Sequence, residues 1–337
     1  RTTVLSGNLL LEKYNDGQAV EEFTSALKLN PTAIEACVGL GRAELQRREA
    51  EHARELGDRA LAWNSHSFEA LLLRAEVELL KDDAENALAF VERALDVNPR
   101  DQRALACRTF CDWMEEGLPA VDRWSALTAA AVAGSADEFD PQTAAERRTI
   151  ELLERNPKPG VYFNRLGELC DSRRKQELAA ICYRAAIELM PQLPESRTNL
   201  GLLAMRTGRI DEAEKLLDKA FQADPFHLRV SNLRKVLGVL KGYDTFRTEH
   251  FVLRVDASDR MLAEYMADYL EEVHGELSDF FGFTPPTPTQ VEIYSSAQGQ
   301  TAHEWFSARM IGLPWIQTIG ASTGTIVAMA SPQAVDE

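Results

Sequence analysis

The chain has 337 residues, with 53 Asp and Glu against 37 Lys and Arg, which gives a net charge of −16. This acidity argues against nucleic-acid binding, because neutralising a phosphate backbone requires clustered basic side chains. It disfavours an anionic membrane surface for the same reason. No stretch approaches the roughly 18 consecutive apolar residues of a spanning helix. A soluble protein of about two domains is expected. Since the chain begins at Arg1 rather than Met, cytoplasmic and exported locations are not separated.

Small residues recur every 34 positions along the first 240 residues. The clearest unit contains Gly167, Ala179, Ala186 and Pro191, and the next contains Gly201, Ala213, Ala220 and Pro225. Three earlier sets follow the same spacing: Gly7, Ala19, Phe23, Ala26 and Pro31; Gly41, Ala53 and Ala60; Ala75, Ala87, Ala94 and Pro99. Small residues let paired helices approach closely, and Pro ends the second helix. This pattern resembles the tetratricopeptide repeat over residues 1–240.

The resemblance predicts a mainly α fold, a solenoid of tetratricopeptide helical hairpins followed by a small, incomplete α+β domain. Four segments are expected: three repeat-like units at 1–101, a degenerate repeat and helical connector at 102–159, two repeats plus a capping helix at 160–243, and an α+β segment at 244–337. Helical periodicity persists in the connector at Ala104–Met114 and Trp124–Val132. The capping helix is predicted at Leu228–Leu240.

Strand-type and helix-type patterns alternate after residue 243. The predicted elements are a strand at His250–Val255, a helix at Asp259–Phe281, a strand at Gln290–Tyr294, a helix at His303–Arg309, and a hairpin of Thr318-Ile319, a Gly320–Gly324 turn and a strand at Thr325–Ala330. The helix carries a wide apolar set at helical spacing: Leu262, Tyr265, Met266, Tyr269, Leu270, Val273, Leu277 and Phe280.

This segment resembles the front part of a peptidase MA-like (gluzincin) domain, such as follows repeat arrays in some bacterial proteins. The similarity lies in EHFVLRVD, FFGFTPP, VEIY and GTIVAMASP. In that family a strand like the last one precedes a helix with H-E-x-x-H, which binds zinc and activates water. The sequence contains no H-E-x-x-H, and Ser307 stands where His303-Glu304 would need a second His. The resemblance therefore implies zinc only in a longer parent protein, and no cofactor or catalytic residue in this chain.

The five cysteines, Cys37, Cys107, Cys111, Cys170 and Cys182, are predicted to be buried free thiols rather than a disulfide framework. Cys107 and Cys111 share a helix face, so a metal or redox pair is the alternative. No other Cys or His lies near them in the sequence to complete a metal site.

The first helices of stacked hairpins line the concave groove of such a solenoid. By register, the groove candidates are Asn164, Glu168, Asp171, Thr198, Asn199, Leu202 and Arg206 in the later repeats, and Glu35, Val38, Arg42, Leu72 and Glu76 in the earlier ones. Some members of the family hold a terminal carboxylate with Lys and Asn. Asn164 matches that type, but Glu168 would repel a carboxylate. A merely solvated face is the alternative for the whole set.

Two functions follow from these patterns. The first is a protein–protein interaction scaffold that binds polypeptide segments in the groove without catalysis. The alternative is the substrate- or partner-recruiting part of a larger bacterial zinc metallopeptidase whose catalytic helix lies beyond residue 337. The partner in either case is a protein or peptide, and the sequence does not define the oligomeric state.

Overall fold

A computed structural model of the chain describes residues 2–313 and 320–332. Its contacts divide the chain into two compact units, Arg1–Asn199 and Leu200–Glu337. The four sequence segments remain a prediction, and the units group the residues differently. The predicted fold class is confirmed, since helical hairpins of tetratricopeptide type are followed by a smaller region that contains strands.

Eleven helices lie wholly within the described part of the first unit. They are α1 (Thr2–Glu12), α2 (Asp16–Leu29), α3 (Ile34–Gln46), α4 (Ala50–Trp63), α5 (Phe68–Leu80), α6 (Ala84–Val97), α7 (Gln102–Glu116), α8 (Val121–Ala133), α9 (Ala144–Arg155), α10 (Gly160–Ser172) and α11 (Gln176–Leu189). The unit boundary falls inside α12 (Pro194–Arg206). The second unit contains α13 (Ile210–Ala223), α14 (Leu228–Leu240), α15 (Arg260–Phe281) and α16 (Ala302–Ile311). Its strands are β1 (Asp244–Arg247), β2 (Phe251–Val255), β3 (Thr289–Tyr294), β4 (Gly320–Ser322) and β5 (Ile326–Ala330).

The recurring glycines allow close helix packing. A Cβ built on Gly41 would lie 2.5 Å from the side chain of Leu73, which is fully buried, and one on Gly7 would lie 2.7 Å from the ring of Phe23. Gly167 repeats the arrangement against Tyr183, at 2.5 Å. At these distances a larger residue would displace the neighbouring side chain, so the 34-residue register reflects direct helix contact.

The recurring prolines mark helix ends as predicted. Helices α2, α6, α11 and α13 each end two residues before a proline of the register. Each turn accepts a hydrogen bond from the second helix of the next hairpin. Arg59 donates to the carbonyl of Pro31 at 2.6 Å, and 34 residues later Arg93 donates to that of Ser65 at 3.1 Å.

Aromatic contacts hold the degenerate segment between α6 and α10. Trp113 of α7 packs edge-on against Trp124 of α8, with ring centroids 4.8 Å apart. The hydroxyl of Tyr162 lies 3.0 Å from that of Thr109 and 2.7 Å from that of Thr149, which joins α10 to α7 and α9. Burial raises the pKa of Tyr162, so the hydroxyl stays neutral.

All five cysteines are buried free thiols, as the sequence predicts. Burial is the largest cause that raises the pKa of Cys107, to about 11, so its thiol is protonated and unreactive at neutral pH. Cys182 accepts a hydrogen bond from the indole nitrogen of Trp124 at 3.2 Å.

The second unit contains a five-stranded sheet in the order β1-β2-β3-β5-β4. Strands β2, β3 and β5 are parallel, and β1 and β4 pair antiparallel at the two edges. Leu253, Val255, Val291 and Ile293 pack against α15 on one face. The other face, with Tyr294 and Ala328, packs against α14 and α16.

The sequence prediction for this unit needs two corrections. Strand β1 was not expected, because its residues alternate only between half-buried and exposed. Gly320–Ser322 forms an edge strand rather than part of a turn, and the hairpin turn is Thr323–Thr325. Thr318 and Ile319 lie outside the described residues.

Candidate functional site

Four of the predicted groove side chains are core residues. Leu72 is fully buried, Val38 and Thr198 are each 3% exposed, and Leu202 is 6% exposed. A side chain with almost no accessible surface cannot contact a bound peptide. Their assignment to the groove was therefore wrong.

Five candidates of the first unit, Arg42, Glu76, Asn164, Glu168 and Asn199, take part in two groups of ion pairs and hydrogen bonds on successive first helices. We call the surface formed by α3, α5, α7, α10 and Pro194–Asn199 of α12 the first-helix face. On one side of this face, the carboxylate of Glu69 of α5 accepts hydrogen bonds from both neighbouring first helices. Arg103 of α7 donates to it twice, at 2.8 and 3.2 Å, and Arg42 of α3 forms a salt bridge with it. All three side chains remain 29–44% exposed.

The other side of the first-helix face has a net negative charge. Arg165 of α10 lies between two carboxylates, 2.9 Å from Glu76 and 2.8 Å from Glu168. Glu168 also accepts from the side-chain nitrogens of Asn164 at 2.9 Å and Asn199 at 3.1 Å. Asn199 donates to Asn164 at 3.2 Å as well. Since Arg103 also pairs with Asp101 at 3.3 Å, the first side has two Arg and two carboxylates, and the other has two Glu around one Arg with two amides.

These contacts fix the charge states of the two central groups. Burial alone would raise the pKa of Glu69, but hydrogen bonds from Arg103 and the charge of Arg42 outweigh it and lower that pKa. Burial likewise opposes the charge on Arg165, but Glu76 and its neighbours raise the pKa of the guanidinium well above its usual value. Glu69 and Arg165 are therefore both charged at neutral pH.

Three predicted groove residues remain. Glu35 is exposed in the first turn of α3, and Asp171 is half-buried one turn beyond Glu168. Arg206 belongs to the second unit, where its carbonyl accepts from the hydroxyl of Thr323 at 2.8 Å.

Glu69, Arg103 and Arg165 were not among the sequence candidates. A signal for two of them exists, because Glu35, Glu69 and Arg103 follow one another at the 34-residue spacing. Arg165 directly follows the candidate Asn164, but its pairing with Glu76 joins residues too distant in sequence for periodicity to predict.

The histidines of the second unit have structural partners. Glu304 belongs to a capping box with Thr301 at the start of α16, which accounts for its place after His303. His250 lies 2.7 Å from Glu271 and stacks on His274 with ring centroids 3.7 Å apart. Over residues 2–313 and 320–332, no group of three His, Cys, Asp or Glu side chains is arranged to hold a metal ion. Within the same residues, no helix combines the length and hydropathy of a membrane span.

Solved structures of repeat proteins resemble the chain at low sequence identity. YrrB, a tetratricopeptide-repeat protein described as having an unusual peptide-binding site, is 17% identical, with 64% of this chain and 99% of YrrB covered and a TM-score of 0.32. PilF of Pseudomonas aeruginosa is 16% identical, with 69% and 96% covered and a TM-score of 0.39. A tetratricopeptide-repeat protein of Thermus thermophilus is 20% identical, with 71% and 98% covered and a TM-score of 0.36.

Family models identify the repeats. Tetratricopeptide-repeat models match residues 7–66 and 194–227. A search of curated proteins found no match. The segment 244–337 lies outside both matched ranges, so its resemblance to a peptidase MA-like domain stays a prediction. The chain thus contains tetratricopeptide repeats, which generally act as protein-interaction scaffolds.

Proposed function

We propose that the first unit binds an extended polypeptide segment on its first-helix face and does not catalyse a reaction. The observation that carries this proposal is the row of mutually oriented polar side chains across successive first helices, most of them partly exposed, with Asn164, at 8% exposure, buried beneath Asn199 and Glu168. Side chains held in place by their neighbours lose little entropy when a ligand binds, which favours affinity.

The side of the face that contains Asn164, Glu168 and Asn199 supplies contacts to a peptide backbone. Asn199 uses its side-chain nitrogen for both bonds to its neighbours, so its carbonyl oxygen is placed to accept from a backbone N–H. Because Glu168 anchors both asparagines, the amides are oriented before the ligand arrives. Such backbone contacts supply affinity without requiring a particular ligand sequence.

The Arg42–Glu69–Arg103 side supplies hydrogen-bond donors for an acidic residue of the ligand. Arg103 also pairs with Asp101 at 3.3 Å, so two guanidinium groups face two carboxylates there and the local charges balance. An Asp or Glu of the ligand would pair with the outer N–H groups of Arg42 or Arg103. The Glu76 and Glu168 side would repel such a residue, which fixes the ligand's direction along the face.

The ligand length follows from the helix spacing. From α3 to α10 the face crosses three helix spacings of about 10 Å each. An extended chain rises about 3.3 Å per residue, so roughly nine residues reach from Arg42 to Asn164.

A displayed library of random 12-residue peptides tests the proposal. Peptides selected on the wild-type chain are synthesised, and their dissociation constants are measured by fluorescence anisotropy. We expect Asn164→Ala/Asn199→Ala to weaken binding at least tenfold, because the variant removes the accessible amide of Asn199 and the buried amide of Asn164 that orients it. Asn86→Ala is the matched control, because Asn86 of α6 bonds only near its own helix start.

The outcomes separate the alternatives. Equal affinity of the double variant and the Asn86→Ala control would show that the selected peptides bind elsewhere. Failure to enrich any peptide would support a solvated face without a ligand. Mass spectrometry of the peptide after prolonged incubation tests for cleavage, and an intact peptide is the expected result.

A further inference from the structure

Helix α15 is longer than the sheet that supports it. Its 22 residues span about 33 Å, whereas the five residues of β2 span about 17 Å. Its buried side chains, Ala263 and Ala267, both lie in the first half of the helix. From Gly275 to Phe283 no residue is buried, so the end of α15 extends beyond the sheet.

This free end carries a cluster of large apolar side chains. We call Leu277, Phe280, Phe281 and Phe283 the overhang patch. Their exposed fractions are 50%, 81%, 70% and 63%. The rings of Phe280 and Phe281 contact each other edge-on, with centroids 5.0 Å apart. At about 200 Å² per aromatic side chain, the three phenylalanines expose on the order of 400 Å². Contiguous apolar patches of this size usually mark an interaction surface.

The charge around the patch limits what binds it. Helix α15 carries six acidic side chains and a single Arg, which stands at its far end. Glu272, Glu276 and Asp279, all exposed or half-exposed, lie within two turns of the overhang patch. An acidic rim around an apolar centre complements a segment that combines apolar anchors with Lys or Arg.

Two other occupants fit less well. A second copy of the chain would bring an identical acidic helix against the first, and like charges repel. The patch also offers about half of the roughly 800 Å² per partner that a stable protein interface needs. An anionic membrane is repelled by the same acidic rim.

We propose that the overhang patch binds a basic amphipathic helix of another protein, with apolar residues one turn apart as anchors and Lys or Arg beside them. Such a helix would lie along the last turns of α15, place its anchors against Phe280 and Phe281, and pair its bases with Glu272 and Glu276. Helices of this kind bind through anchors at positions i, i+3, i+4 and i+7. The surface belongs to the second unit and is independent of the first-helix face.

The probe is a synthetic 18-residue amphipathic peptide with Leu at those positions and Lys on its flanks, titrated against the full chain by fluorescence anisotropy. A twin peptide with Glu in place of Lys tests the charge. Phe280→Ala removes the most exposed ring of the patch, and Phe226→Ala, whose ring is 80% exposed elsewhere, is the matched control. Because both rings are exposed, neither variant disturbs the core.

We expect the Lys peptide to bind, the Glu twin to bind at least tenfold more weakly, and Phe280→Ala to weaken binding by tenfold or more while Phe226→Ala does not. Equal effects of the two Phe variants, or equal binding of both peptides, would overturn the proposal. So would a dimer in sedimentation equilibrium that Phe280→Ala abolishes, or uptake by neutral phosphatidylcholine vesicles without peptide binding. The first would identify a second copy as the occupant, and the second a lipid surface.

Discussion

The interior of the second unit contains an ion pair whose disruption should be costly. Arg309 of α16 and Glu292 of β3 are both completely buried, and two guanidinium nitrogens lie 2.6 and 3.0 Å from the carboxylate. In Arg309→Met the carboxylate of Glu292 loses both of these bonds. It still accepts a hydrogen bond from the hydroxyl of Tyr294 at 2.9 Å and lies 3.8 Å from the guanidinium of Arg254. Removing one partner of a buried pair costs about 3–5 kcal/mol, because the other charge stays desolvated.

The double variant Glu292→Gln/Arg309→Met should recover much of that loss. Gln keeps an acceptor for the hydroxyl of Tyr294 but carries no charge, so about 2 kcal/mol or more returns relative to Arg309→Met alone. At roughly 2 kcal/mol per molar urea, Arg309→Met lowers the unfolding midpoint by about 1.5–2.5 M. Hydrogen exchange of β3 and α16 along the urea series reports this unit separately from the repeats.

A surface pair provides the control. Arg260 and Glu264 are 63% and 61% exposed, so water screens their interaction and Arg260→Met should change stability by less than about 1 kcal/mol. The reasoning fails if Arg309→Met costs no more than Arg260→Met, or if adding Glu292→Gln destabilises the unit further. Either result would mean that the pair is not desolvated in solution.

Two further predictions concern packing and pH. Gly39→Ala places a methyl group 2.3 Å from the buried ring of Phe23, so the free energy of unfolding, measured by thermal unfolding, should fall by about 1–3 kcal/mol. Gly238→Ala meets no atom within 4 Å, so the same free energy should rise by about 0.5–1 kcal/mol. Burial opposes the charge on Glu271, but bonds from Thr248 and His250 lower its pKa from 4.5 to about 2. The stabilisation that the ionised Glu271 gives the folded state is therefore complete above pH 4.5 and is lost as the pH falls towards 2. The difference in unfolding free energy between wild type and Glu271→Gln should shrink over that window. A constant difference from about pH 7 to about pH 2 would contradict this assignment.

The sequence predicts the repeats well because their register arises from local contacts. Gly167 must be small, since the ring of Tyr183 lies 2.5 Å from where its Cβ would be, and the two residues belong to adjacent helices. The capping helix, predicted at Leu228–Leu240, has those bounds in the structure. How the degenerate segment packs was not predictable, because its contacts join distant residues such as Trp124 and Cys182.

The binding surface was only partly predictable for a related reason. Register identifies the side of each first helix that faces the groove, but not how wide a strip of that side remains accessible. Neighbouring first helices cover part of it, so Val38 and Leu72 are buried while Arg42 and Glu76 stay partly exposed. The accessible strip follows positions seven residues apart, two helical turns, such as Glu69 and Glu76. The ion pairs across it depend on which side chains the neighbouring helices present, and periodicity within one helix does not contain that information.

In α15 the sequence pattern and the burial diverge, and the divergence itself is informative. Helical spacing predicts an apolar face that includes Tyr265, Tyr269, Leu277 and Phe280, yet all four are at least half exposed. A pattern gives the direction of a face, whereas the length of the supporting strands determines how much of it is covered. Since the sheet covers about half of the helix, the apolar residues at its end do not pack against the sheet. Exposed phenylalanines carry a risk of aggregation that a surface without function would avoid, and a bound helix would remove that risk.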